Sequence, residues 1–205
     1  MDFWNSRYAH PDYAYGTAPN VFFAEQLTAH RPSGSILLPA DGEGRNGVYA
    51  AEQGLDVHAF DLSVEGQKKA LRLAEDRGVT IDYRVGDFRK LGYRENRFEV
   101  LALIFAHFPA AEKEAFNRIL ASYLKPGGLL LFEAFGSQHL AYREADPKVG
   151  GPGVVDMLFS TEELQRTFPN YRVELLEERP VQLAEGPFHQ GTGSVVRMVA
   201  RKPLR

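Results

Sequence analysis

The chain has 205 residues, of which 44% are hydrophobic and 25% charged, a composition that supports a packed core and excludes a disordered protein. A net charge of −3 leaves no footprint for binding a polyanion, so nucleic acid is not an expected partner. The absence of cysteine excludes disulfides, thiolate metal sites and a cysteine nucleophile.

Residues 1–34 carry Phe3, Trp4, Tyr8, Tyr13, Tyr15, Phe22 and Phe23 without the alternation of a strand. They predict a helix from Asn20, with Asn20 as N-cap and Phe23, Ala24 and Leu27 on one face. Ile36–Pro39 reads as a short buried strand, Arg45–Gln53 as a helix stopped by Gly54, and Asp56–Phe60 as a second strand. Ser63 caps a helix that Gly78 stops, Thr80–Val85 is a third strand, and Phe98–Phe105 is a fourth, apolar enough to be covered on both faces. Ala110–Leu124 places Phe116, Ile119, Leu120 and Tyr123 on one helical face. Lys125-Pro-Gly-Gly128 then turns the chain into a strand over Leu129–Glu133.

This alternation predicts an α/β fold, a doubly wound and mostly parallel sheet with helices on both faces. The tail differs. Ser160 and Glu163 form a capping box for a helix reaching about Phe168, and Arg172–Val181 and Ser194–Ala200 follow as consecutive strands. With no helix between them they pair antiparallel, a hairpin at one edge of the sheet. We expect a single domain over 1–205, an aromatic lid segment at 1–34 preceding the core at 35–205. No apolar run has bilayer length, no apolar core follows a basic start, and no histidine pair has ligand spacing. The expectation is a cytoplasmic protein without a membrane partner or metal.

The strongest chemical signal is the turn after the first strand, Asp41-Gly-Glu-Gly-Arg-Asn-Gly47, with Asp61 at the tip of the next strand. Glycine lets the main chain turn sharply and a ligand approach it, and the acid can accept hydrogen bonds from a ribose diol. Such a turn suits a nicotinamide dinucleotide or S-adenosylmethionine. Val85-Gly-Asp-Phe88 favours the second, placing Asp87 where it can accept from an adenine amino group and Phe88 against the ring. So does Leu124-Lys-Pro-Gly-Gly-Leu-Leu-Leu-Phe-Glu133, which is similar to an element of class I methyltransferases.

Together with Trp4-Asn-Ser-Arg-Tyr8, Tyr15-Gly-Thr-Ala-Pro-Asn20, Phe105-Ala-His107, Glu185-Gly-Pro-Phe-His-Gln-Gly191 and the final strand, these segments resemble small-molecule methyltransferases of the tellurite-resistance and thiopurine-methyltransferase-like group. The resemblance implies a seven-stranded Rossmann-like fold with S-adenosylmethionine as donor. The candidate cofactor contacts are Ala40, Asp41, Gly42, Glu43, Gly44 and Asn46, then Asp61, Leu62 and Ser63, and Asp87, Phe88, Ile104, Phe105 and Tyr15. One departure stands out. The usual first acid and first glycine of the motif are replaced by Leu38 and Ala40, so Asp41 or Glu43 would have to serve the methionine ammonium.

Arg7 is a candidate fork for the methionine carboxylate. Trp4, Tyr8 and Tyr15 suit a lid over the cofactor, where excluding water strengthens sulfonium–π contacts, and Trp4 and Tyr8 are also acceptor-side candidates. His107, after the fourth strand, is the candidate catalytic base, and His189 a second acceptor-side candidate. The reading is methyl transfer to a small molecule, with a thiol, selenol or metalloid oxyanion favoured, by a monomer or homodimer. A nicotinamide-dependent oxidoreductase and a non-catalytic S-adenosylmethionine-binding protein are the alternatives.

Overall fold

Seven strands form one sheet in the order β3-β2-β1-β4-β5-β7-β6, in a computed structural model that describes residues 2–204 and leaves Met1 and Arg205 outside the described residues. The strands are β1 (Ser35–Pro39), β2 (Asp56–Asp61), β3 (Asp82–Val85), β4 (Phe98–Ile104), β5 (Leu124–Phe135), β6 (Arg172–Glu185) and β7 (His189–Arg201). The first five run parallel, while β7 is antiparallel to both β5 and β6. The helices are α1 (Asp2–Tyr8), α2 (Val21–His30), α3 (Arg45–Glu52), α4 (Val64–Asp76), α5 (Lys113–Ser122), α6 (His139–Ala145) and α7 (Thr161–Thr167). The mostly parallel α/β sheet with a terminal edge hairpin is therefore the fold expected from the sequence.

Side-chain alternation divides the core between the two faces of the sheet. Ile36 and Leu38 of β1 pack with Phe22, Phe23, Ala50 and Ala70 from α2, α3 and α4. Leu37 points the other way, into a cluster with Leu120 of α5 and Leu164 of α7. Asn20 caps α2 by accepting from Phe23 N, and Ser63 caps α4 by accepting from Gly66 N. No helix among the described residues is long and apolar enough to cross a membrane.

Several sequence expectations are corrected. Lys125–Gly128 belongs to β5, since Gly127 N donates to Lys202 O and the pairing with β4 shifts register between Phe98 and Val100. The Pro-Gly-Gly run is an irregularity inside a strand, accommodated by the left-handed backbone of Gly127 (φ 76°). On α5, Ile119 is exposed and Asn117 is buried instead, so the core face runs through Asn117, Leu120 and Ala121. In α2 Phe22 joins the buried face and Ala24 is only half-buried. The hairpin strands run further than expected, meeting in a tight turn at Gly186–Phe188, and α1 and α6 are helices the sequence pattern did not reveal.

Candidate active site

The carboxyl end of β1 is held in an unusual backbone conformation. Ala40 (φ 53°), Gly42 (φ 58°) and Gly44 (φ 86°) all lie in the left-handed region. At Gly42 a side chain is also excluded by the Tyr8 hydroxyl, 2.7 Å from where a Cβ would sit. At Gly44 a Cβ would fall 2.5 Å from Ala70 Cβ, so this glycine sets how closely α3 approaches α4. Ala40 stands where the motif usually has glycine and adopts the glycine conformation regardless, which stores strain at the site.

Asp61 joins this turn to the end of β2. Its Oδ2 accepts from Gly42 N (3.1 Å) and its Oδ1 from Ser63 N (2.9 Å). The Gly42 amide is thus engaged inside the protein and is not offered to a ligand. Burial raises the Asp61 pKa against the opposing hydrogen bonds from Ser63, Gly42 and Leu62. A carboxylate has about four acceptor positions, so after these three bonds one remains for a ribose hydroxyl.

These groups line a cavity of about 690 Å³ across the carboxyl ends of β1, β2 and β4, where ligands bind in open α/β sheets. Arg7, Tyr15, Ala40, Asp41, Gly42, Glu43, Asn46, Asp61, Leu62, Asp87, Phe88, Ile104 and Phe105 line it, as do Trp4, Tyr8, His107 and His189. Gly44 and Ser63 do not. Gly44 packs on α4, and the Ser63 hydroxyl caps that helix while donating to Asn5 Oδ1 (2.8 Å).

Beyond Asp61 the wall is aromatic. Phe88 stacks on Phe60 at 5.8 Å and meets Phe116 edge-on at 5.3 Å, with Phe108 beside both. Asp87 sits at the rim. The Arg89 guanidinium forks onto its carboxylate (2.6–3.0 Å) and lowers its pKa to about 2.

The two acids proposed to replace the missing one differ. Glu43 is committed: Oε2 accepts from Ala14 N (2.8 Å) and Oε1 from Lys69 Nζ (2.7 Å), fastening the N-terminal segment to α4. Asp41 accepts only from Gly47 N (3.1 Å), and burial pushes its carboxyl up to about 8, above the usual range despite the nearby Arg45. Asp41 is therefore the acid with capacity for a cation.

At the other end the walls are rings and cations. Both nitrogens of His107 are buried without a hydrogen-bond partner, and burial together with His189 and His139 lowers its pKa to about 4. His189 packs against Tyr15 (4.5 Å) and Phe105 (4.9 Å). Trp4 stacks on Tyr8 at 5.5 Å, and Arg7 donates to the Tyr15 hydroxyl (2.9 Å) while lying over Phe188. Arg143, whose Nε is buried without a partner, closes this end with Phe135 and Met157. The sequence reading missed Arg143, the Phe60–Phe116 wall, and Glu185, which bonds His189. Only Glu185 left a trace, four residues before His189 across a Gly-Pro turn. No group of His, Asp and Glu among the described residues is arranged to hold a metal.

Residues 36–128 match the family described as "Methyltransferase domain". The chain is 30% identical over 115 residues to phosphoethanolamine N-methyltransferase 1 of Arabidopsis thaliana; the match covers 55% of this chain and 23% of that protein. The chain thus spans about a quarter of the length of this curated relative. Among solved structures, one described as "Conversion of a Disulfide Bond into a Thioacetal Group during Echinomycin Biosynthesis" superposes with a TM-score of 0.78 at 18% identity, covering 100% of this chain and 92% of the other. TehB from Haemophilus influenzae superposes with a TM-score of 0.70 at 18% identity, covering 98% and 66%. Residues 36–128 thus match a methyltransferase-domain family, and the fold that contains them is the one shared with these solved structures. S-adenosylmethionine is the cofactor of the family that residues 36–128 match. The residues present fit that molecule: a glycine cradle that a Cβ would close, a carboxylate at the tip of β2 with an acceptor position left, an aromatic wall, and an Asp41 carboxyl bonded only to Gly47 N.

Proposed function

We propose that the protein transfers a methyl group from S-adenosylmethionine to a small-molecule acceptor, with a thiol, selenol or metalloid oxyanion favoured. The carrying observation is that one cavity is lined by the glycine turn and Asp61 at one end and by His107 and His189 at the other. Trp4, Arg7, Tyr8 and Tyr15 line the same cavity, whose volume of about 690 Å³ suits a small acceptor and not a macromolecule.

In this reading Asp61 holds the ribose, Asp87 and Phe88 the adenine, and Asp41 the methionine ammonium, with Glu43 serving to anchor the lid. Arg7 pairs with the methionine carboxylate. The cofactor supplies a methyl group already activated on a sulfonium, so the protein's task is alignment and exclusion of water. Trp4 and Tyr8 cover the site, Phe105 and Phe135 wall the acceptor, and His107 orients it or takes its proton. The proposal includes no nucleic-acid or membrane partner, and a monomer or homodimer in the cytoplasm.

The test is transfer of labelled methyl from S-adenosylmethionine to a panel of thiols, selenite and tellurite, beside thermal shifts with S-adenosylhomocysteine and NAD. Product on the panel and a shift with S-adenosylhomocysteine alone are expected. Binding without transfer would make the protein a sensor, and a shift with NAD alone would make it an oxidoreductase.

A further inference from the structure

The turn between β6 and β7 brings an acid and an imidazole back to the cavity as a pair. Glu185 and His189 face each other across the hairpin, and His189 Nδ1 lies 2.9 Å from Glu185 Oε2. The same Oε2 accepts from Arg45 (2.9 Å), and Oε1 accepts from Asn20 Nδ2 (3.0 Å). Asn20 also donates to Glu133 (2.6 Å), whose other oxygen accepts from Arg197 (2.5 Å). Glu185 is therefore fixed from α3, from the N-terminal segment and, through Asn20, from β5 and β7. An arrangement this buried is costly unless it does something, because each charge must be matched when removed from water.

Its consequence for His189 is specific. Despite burial, the bonds from His189 and Arg45 hold the Glu185 carboxyl down at about 2, so it is ionised and can only accept. Nδ1 of His189 must then be the donor. In the neutral ring this leaves the lone pair on Nε2, which makes no hydrogen bond among the described residues, while the ring lines the cavity. The groups around the imidazole are Glu185 on its own hairpin, Arg45 of α3, Arg7 and Tyr15 of the N-terminal segment, His107 after β4 and His139 of α6. Burial and the two arginines lower its pKa and Glu185 raises it, so the ring is neutral at pH 7. His107 lacks an orienting partner and its pKa falls to about 4, which makes it the weaker base.

We propose that His189 Nε2 is the proton acceptor of the methyl transfer, with Glu185 as its positioning residue, and that the methyl acceptor arrives as a protonated thiol. This rests on the methyltransferase reading and narrows it. The acceptor sulfur gains the methyl group, and the methyl–sulfonium bond breaks with its electron pair left on the departing thioether. The S–H proton ends on Nε2, giving an imidazolium whose charge Glu185 balances. A thiol suits this base because its pKa, about 8.5, is within reach of an imidazole, whereas that of an unactivated alcohol is not. An oxyanion already ionised at pH 7 would leave the pair without a role.

Long-range proton–nitrogen correlation spectra of the S-adenosylhomocysteine complex, with His189 assigned by difference from H189N, read the tautomer without an acceptor. Nδ1–H at pH 7, with Nε2 protonating only at lower pH, is expected; Nε2–H or an imidazolium at pH 7 overturns the proposal. In kinetics, H189N should lower kcat on 2-mercaptoethanol by roughly 10²–10⁴-fold, the usual worth of a general base. It should lower kcat far less on 4-nitrothiophenol, which ionises without help, and leave S-adenosylhomocysteine affinity unchanged. E185Q removes the charge that raises the imidazole pKa, so the acid limb of kcat/KM should move to lower pH. Equal losses on both thiols with the acid limb unmoved would reveal a structural role only and overturn the assignment. A wild type that binds S-adenosylhomocysteine and methylates neither thiol overturns the acceptor class. Failure to bind S-adenosylhomocysteine would instead remove the methyltransferase reading itself.

Discussion

The two ends of the cavity are built from different materials. At the cofactor end, consecutive elements β1, α3 and β2 supply a backbone turn and the carboxylate of Asp61 that braces it. At the end proposed to hold the acceptor, single side chains arrive from α1, the loop after β4, α6 and the β6–β7 hairpin, and of these His189 is fixed by the buried Glu185–Arg45 pair. The first arrangement tolerates few substitutions of the main chain but asks little of side chains. The second can be re-specified one residue at a time, provided the charge network beneath it remains matched.

Breaking that network should have the largest effect. Arg197→Met strands Glu133, which is almost fully buried and already has a raised pKa from burial, and should cost about 3–5 kcal/mol in urea denaturation. The loss should fall on stability and on the acceptor end, with cofactor affinity per folded molecule preserved. At the other end Asp61→Ala removes a carboxylate that binds both main chain and, in the proposed function, ribose. S-adenosylhomocysteine binding should weaken by about 1.5–3 kcal/mol by calorimetry, with a smaller loss of stability.

Asp41 sharpens the comparison through pH. Its folded pKa, about 8, exceeds the ordinary 3.8, so the folded protein holds a proton the unfolded chain releases, and stability from this group declines as pH rises from 3.8 to about 8. Asp41→Asn should abolish that part of the decline in a pH series of denaturation curves. An ammonium beside Asp41 favours the ionised form, so binding S-adenosylhomocysteine at pH 7 should release a proton. Calorimetry in buffers of different ionisation enthalpy would detect it in the wild type and not in Asp41→Asn. The smallest effect is expected at Ala40, where Ala40→Gly relieves a left-handed backbone and should raise stability by about 1 kcal/mol without changing cofactor affinity.

The same contrast explains what could be read from the sequence. Local signals carried the cofactor end: Gly42 and Gly44 in a turn, Asp61 at the next strand tip, Asn20 and Ser63 as caps and the continuous apolar run of β4. Elements fixed by tertiary contact were obscure. Short helix α1 has no apolar repeat of its own and is held by Tyr8 against Gly42 and by Asn5 against Ser63. Ser63, expected both as a cap and at the cofactor, is seen here as the cap, its buried hydroxyl accepting from Gly66 N at the helix start. Asp41 and Glu43 looked equivalent in sequence. Lys69 and Ala14 distinguish them, and both lie too far along the chain to be paired with Glu43 by inspection.

A crystal structure of the S-adenosylhomocysteine complex tests the central claim most directly. The expected result is a ribose hydroxyl on Asp61, the amino group beside Asp41, and the thioether sulfur facing His107 and His189. A nucleoside bound elsewhere, or one whose sulfur points away from the two histidines, would contradict it.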